Sequence, residues 1–107
     1  MTTTIQRVAI LASIGDVVIS EHGYDELASD CISVQEALAG IADAEVVEDY
    51  PEHQRGPCVL LLQRDQEGGP IHVVWGIPSG QLGPAVLVTV YRPDPELWAD
   101  GFLRRKQ

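Results

Sequence analysis

Residues 56–91 read GPCVLLLQRDQEGGPIHVVWGIPSGQLGPAVLVTVY, and three times in that stretch a Gly-Pro pair stands immediately before an apolar run. Gly56-Pro57 precedes residues 58–63, Gly69-Pro70 precedes 71–77, and Gly83-Pro84 precedes 85–91. Glycine permits the turn, and proline is tolerated at the first residue of a strand, where its missing N–H costs no ladder bond. The pairs therefore predict the starts of three consecutive strands, and the short intervals between them predict antiparallel neighbours. The run 58–63 is apolar on both faces and reads as a central strand. In 71–77 the apolar face is Ile71, Val73, Trp75 and Ile77, with His72, Val74 and Gly76 opposite. In 85–91, Val86, Val88 and Val90 share one face, with Ala85, Leu87, Thr89 and Tyr91 opposite; if this valine set and the Ile71 set both line the core, His72, Thr89 and Tyr91 share the other surface.

Upstream, the period changes to two from Ala44. Ala44, Val46, Glu48 and Tyr50 share one face of a further strand, Glu45, Val47 and Asp49 share the other, and Pro51 ends it. Before that, the pattern is helical. Ile5, Val8, Ala9 and Ala12 fall at i, i+3, i+4 and i+7 and predict a helix over about 4–14, with a strand as the alternative. Residues 16–19 read as a short extended link. Ser20 is an N-cap candidate for a second helix whose stripe is Tyr24, Leu27, Ala28 and Cys31. Ser33-Val34-Gln35-Glu36 is a capping box opening a third helix, with Val34, Ala37, Leu38 and Ile41 on one side. Downstream, Asp94-Pro95 reads as an N-cap followed by proline at the first helical position, so a last helix is predicted, docked through Trp98 and Phe102. The fold class is α+β, in which N-terminal helices pack on a four-stranded antiparallel meander with a C-terminal helix. Residues 1–107 form a single domain, long enough for one core without staples.

The charge narrows the function classes. Formal net charge is −9, and between Arg7 and Arg55 there is no Lys or Arg. That span holds Asp16, Glu21, Asp25, Glu26, Asp30, Glu36, Asp43, Glu45, Glu48, Asp49 and Glu52. Nucleic-acid binders attract phosphate mainly through Lys and Arg, so this surface should repel nucleic acid over most of its area. Arg104, Arg105 and Lys106 cluster near the C-terminus, where they would complement a helix dipole. No stretch is long enough to cross a bilayer, and residues 8–14 lack the flanks of a signal peptide. Cys31 and Cys58 have neither CxxC spacing nor a secretory context, which predicts reduced thiols and a cytoplasmic location.

Several strings together resemble a known bacterial family, the domain of unknown function 4258. They are Ser20-Glu21-His22-Gly23, Ile32-Ser33, Glu45-Val46-Val47-Glu48-Asp49-Tyr50-Pro51, Ile71-His72-Val73-Val74, and Val88-Thr89-Val90-Tyr91-Arg92-Pro93-Asp94 with Trp98 beyond. The resemblance covers roughly residues 5–105. That family looks like a relative of the RelE and BrnT toxins, which implies a small α+β fold associated with metal-independent RNA cleavage in toxin–antitoxin pairs. One departure weakens that implication. Where the family usually has His-Ala-x-x-Arg, this chain has His22-Gly23-x-x-Glu26, an anion where a phosphate-holding cation would stand.

The residues themselves offer a modest set of candidates. His22 lies roughly 160–170° around its helix from the apolar stripe, at about 100° per residue, so it is not a core residue of that helix. The positive end of the helix dipole favours a neutral imidazole there, usable as a general base. Glu48 would have a raised pKa if its face is the core side, and meets water if the strand twists out near Pro51. His72, Thr89 and Tyr91 fall on one sheet surface with Arg92 nearby, a grouping that fits either a shallow phosphate site or simple cross-strand pairing. The catalytic candidates are thus His22, Glu48 and Tyr91, and the substrate-binding candidates His72, Thr89 and Arg92. Metal-ligand spacing is missing, Gly68-Gly69-Pro70 is a turn, and no cofactor is expected. Two functions follow. One is a non-catalytic module whose acidic surface meets a basic, antitoxin-like protein. The other is a metal-independent ribonuclease toxin, the one nucleic-acid role left open. A homodimer through exposed apolar surface is compatible with both.

Overall fold

The apolar runs behind the three Gly-Pro pairs become the three middle strands of one sheet, in the computed structural model, which describes residues 2–107. Strands β1 (Val17–Ile19), β2 (Glu45–Tyr50), β3 (Cys58–Arg64), β4 (Pro70–Gly76) and β5 (Ala85–Tyr91) lie in the order β1-β5-β4-β3-β2. β2–β3, β3–β4 and β4–β5 pair antiparallel, whereas β1 pairs parallel with β5. The expected four-stranded meander is therefore corrected to a five-stranded mixed sheet. The extra strand is the segment read as a link. Its three β-branched residues are too few to show a period, but their backbone has a partner, with Ala85 N–H donating to Asp16 O and Ser20 N–H to Leu87 O.

Helices α1 (Thr4–Ser13), α2 (Glu21–Ser29) and α3 (Val34–Ala39), followed by a 3-10 turn at Gly40–Asp43, cover one face of this sheet. Each helix begins at a side-chain cap. Thr3 and Gln6 form a capping box, Ser20 accepts from Gly23 N–H, and Ser33 with Glu36 forms the capping box that the sequence predicts. Val8, Leu27 and Ala37 from the helices meet Leu61, Val73, Trp75 and Leu87 from the sheet. One polar side chain enters this layer. Gln63 is 1% exposed; its Nε2 donates to Ala37 O at 2.7 Å and its Oε1 accepts from Trp75 Nε1 at 3.0 Å. Both ends of the amide are thus satisfied, which a buried polar group requires.

The buried side of α2 differs from the predicted stripe. Tyr24, Ala28 and Cys31 are exposed, and Gly23 and Leu27 face the sheet. The cause is close packing. A Cβ at Gly23 would stand 2.8 Å from both the Leu87 carbonyl oxygen and its Cδ2, so only glycine lets the helix seat this near β5.

Two β-bulges alter the sheet faces. The register of β4 on β5 shifts between Val74 and Trp75, so that Val74 pairs with Thr89 and Trp75 with Leu87. Ala85, Leu87 and Val90 consequently point into the core, while Val86 and Val88 point out, reversing the assignment of Val86 and Val88. A second shift lies between Val46 and Glu48, which pair with the adjacent residues Leu61 and Leu60. Glu48 and Tyr50 thereby join the outer face. One extra residue reverses a period-two pattern, so strict alternation fails beyond each bulge.

The C-terminal helix is also overturned. Residues after Pro95 form a small hairpin, β6 (Trp98–Ala99) against β7 (Arg104–Arg105). Asp94 Oδ1 accepts from Glu96 N–H at 2.8 Å, closing a turn with the residues that could equally have capped a helix. Asp100, Gly101 and Phe102 then take φ of 53°, 65° and 71°, which no right-handed helix accommodates. The hairpin lies over the outer face of the sheet, where His72, Leu60, Leu62 and Trp98 are buried outside the main core cluster.

Candidate functional site

His72 sits in the middle of β4, on the outer face, and is 0% exposed. Its Nε2 lies 2.9 Å from the Phe102 carbonyl oxygen, which only accepts, so Nε2 carries the proton. Nδ1 is then the acceptor for the Tyr91 hydroxyl, at 3.1 Å, across the β4–β5 pairing. Edge-to-face packing completes the enclosure, with the Trp98 ring 4.4 Å away at 85° and the Tyr91 ring 5.2 Å away at 78°. Burial pushes the His72 pKa down and the Tyr91 pKa up, so both stay neutral near physiological pH. Every polar atom of the imidazole is used. The left-handed backbone of Phe102 is what aims its carbonyl at the ring.

Glu48 stands at the rim of this cluster. Arg105 reaches it with both fork arms, Nε to Oε2 at 2.7 Å and NH2 to Oε1 at 3.1 Å, and the guanidinium carbon lies 4.8 Å above the Trp98 ring. Tyr50 donates its hydroxyl to Glu48 Oε1 at 2.9 Å. The Arg105 fork holds the Glu48 carboxyl below the usual range despite partial desolvation, opposite to the direction a core position would give. Hydrogen bonding to that carboxylate raises the Tyr50 pKa.

The remaining candidates lie apart from this cluster or at its border. Thr89 is half-buried on the outer face, opposite Val74. His22 is exposed on the first turn of α2, its Nε2 3.4 Å from Glu26 Oε1, and it makes no contact with the His72 cluster. Arg92 is committed elsewhere. Its NH1 donates to Asp65 Oδ2 at 2.8 Å, its NH2 to Asp30 O at 3.2 Å, and its backbone N–H to Asp30 Oδ2 at 3.3 Å, clamping the end of β5 to the end of α2 and to the β3–β4 turn. The ion pair lowers the Asp65 pKa.

The structure thus brings Glu48, His72, Thr89 and Tyr91 onto one surface and leaves His22 and Arg92 outside it. It adds Trp98 and Arg105, which the sequence did not place there, and Tyr50, which the strand pattern puts on the face of Glu48. A signal for the hairpin that carries Trp98 and Arg105 was present: Asp100-Gly101 is a strong hairpin-turn dipeptide. Among the described residues, no three His, Cys, Asp or Glu side chains are grouped to hold a metal ion, and no helix is long and apolar enough to cross a membrane. Both cysteines are free thiols, Cys31 exposed and Cys58 half-buried.

Residues 19–92 match the model of a family described as a domain of unknown function, DUF4258. No curated protein and no solved structure matches the chain.

Proposed function

The chain belongs to the DUF4258 family, and within it we propose a non-catalytic protein-binding module whose partner is a basic polypeptide of antitoxin-like character. The observation that carries this reading is how the charges and lone pairs are spent. Both nitrogens of the buried histidine are occupied, Glu48 is neutralised by Arg105, and Arg92 by Asp65. General acid–base work needs a group free to exchange a proton with substrate, and the outer-face cluster offers none. Most of the unspent charge is negative. Glu21, Asp25, Asp43, Glu45, Asp49 and Glu52 are all exposed, in a chain of net charge −9. Such a field repels polyphosphate and speeds encounter with cations.

A metal-independent ribonuclease is the second reading, favoured by the gathering of Glu48, His72, Thr89 and Tyr91 on one sheet face beside Arg105. It assigns His22, Glu48 and Tyr91 to acid–base roles, and His72, Thr89 and Arg92 to the substrate. One experiment separates the two. Purified protein is incubated with total RNA, with and without chelator, and titrated in parallel with an arginine-rich peptide at rising salt. The module reading expects intact RNA and peptide binding that weakens with salt. RNA cleavage that survives chelator and disappears in Glu48→Gln or His22→Ala establishes the enzyme instead. Indifference to the peptide refutes the module.

A further inference from the structure

The hairpin covers only part of the outer sheet face. Beyond it lies an open groove of about 430 Å³, within the range of small-molecule sites, with Cys58, Val74, Val86 and Val88 along its walls. We propose that this groove binds a small amphiphile, an apolar chain or ring bearing one carboxylate. Three observations support that chemistry.

The first is the floor. Gly76 is the last residue of β4, and a Cβ there would meet Cys58 Cβ and Val88 Cγ2 at 3.6 Å and Pro57 O at 3.7 Å, all ordinary contacts. The fold does not require glycine at this position. Its absent side chain keeps the groove deep; a strand glycine marks a bulge, such as the one between Val74 and Trp75, or the close approach of a ligand or backbone.

The second is the rim, built from the β2–β3 loop and held rigidly. Gly56 has φ +120°, and a Cβ there would stand 1.9 Å from Ile77 O, so the loop is pressed onto the chain beyond β4 as no other residue allows. Ser79 N–H donates to Arg55 O at 3.1 Å and Ile77 N–H to Pro57 O at 2.9 Å. The backbone that carries Arg55 is therefore fixed relative to the groove.

The third is charge. Arg55 and His53 line the groove, and no Asp or Glu does, in a protein otherwise dominated by carboxylates. Among the described residues Arg55 has no ion-pair partner, a state it shares with Arg7 and Arg64, while Arg92, Arg104 and Arg105 are paired. His53 Nδ1 accepts from Arg55 N–H at 3.2 Å, which leaves the proton of a neutral ring on Nε2, free to donate. Burial, and secondarily the negative charge of the nearby Asp49, raise the Cys58 pKa, so that wall stays an uncharged thiol. An anionic head at the mouth and an apolar body on the floor satisfy both halves of the groove.

The test titrates the full chain with decanoate and with decanol by calorimetry, following the groove valine methyls by NMR. Decanoate should bind, roughly tenfold or more tighter than decanol, and Arg55→Gln should erase the difference. Gly76→Val should fill the floor and abolish binding while the protein still unfolds cooperatively. Should that variant not fold, Val88→Asp places a repelling carboxylate on an exposed wall and should abolish binding too. Equal affinity for acid and alcohol, no decanoate binding, or binding undiminished in Val88→Asp overturns the proposal. So do groove methyl shifts that track protein concentration and a dimeric mass without ligand, which would assign the face to a second copy.

Discussion

At one end of the outer sheet face, His72 is enclosed by Tyr91, Trp98 and the Phe102 carbonyl. At the other, Val86 and Val88 stand beside Gly76 along an open groove, with none of the described residues closing it over. The same strands supply both ends. The closed end has lost water and compensates by satisfying each polar atom it buried, as an unpaired one would cost about 1–3 kcal/mol. The open end carries its polar groups, Arg55 and His53, at the exposed mouth, where solvent reaches them. Val88 remains 40% exposed. A buried histidine among aromatic rings suggests chemistry, yet both of its ring nitrogens are held by hydrogen bonds within the chain. The exposed apolar end, with fewer chemically suggestive residues, is the one with room for another molecule.

This contrast breaks most visibly if the cover is removed. Trp98→Ala deletes the ring that packs on His72 and under Arg105, and should cost about 3–5 kcal/mol in urea unfolding. His72→Leu comes next. It leaves the Tyr91 hydroxyl and the Phe102 carbonyl without their partner, at about 1–3 kcal/mol for each group that water cannot reach. It should also alter the pH dependence. Because burial lowers the folded pKa of His72, the unfolded state binds the extra proton as pH falls below about 6.5. Wild-type stability should therefore decline from about pH 6.5 downward until the folded pKa is reached, and His72→Leu should remove that part of the decline. Unfolding midpoints measured across this window test the sign.

Smaller effects sharpen the comparison. Arg105→Gln breaks a rim ion pair whose arginine is mostly exposed, and should cost about 0.2–1 kcal/mol, less at high salt. Glu48 contributes only above its lowered pKa, so the difference between Arg105→Gln and wild type should vanish as pH falls through that value. Val88→Thr, at the open end, should stay within about 0.5 kcal/mol of wild type by the same unfolding assay. A loss at Val88 comparable to that at Trp98 would erase the distinction between the two ends.

Much of this architecture was legible because it is written locally. Gly-Pro pairs mark strand starts, Ser33 and Glu36 mark a helix start, and both signals act within a few residues. The failures have a common physical origin in contacts made far along the chain. Val17–Ile19 becomes a strand only because β5 offers it a parallel edge. Asp94-Pro95 serves turn and helix equally well, and the docking of Trp98 on His72 decides between them. The two bulges redistribute Glu48, Val86 and Val88 between faces, and no alternation rule announces a bulge. The site was half visible for the same reason. Strand parity puts His72, Thr89 and Tyr91 on one surface, as the pairing of β4 with β5 does, whereas Asp94-Pro95 reads as a helix start and hides the hairpin that seals His72.

The most direct test of the account is a long-range ¹H–¹⁵N correlation spectrum of the His72 imidazole, recorded as pH is lowered. The contacts of His72 predict one neutral Nε2–H tautomer that persists as pH falls below the ordinary histidine pKa of about 6.5. A ring that exchanges between tautomers and takes up its proton near that ordinary value would contradict it, and would restore His72 as an available acid–base group.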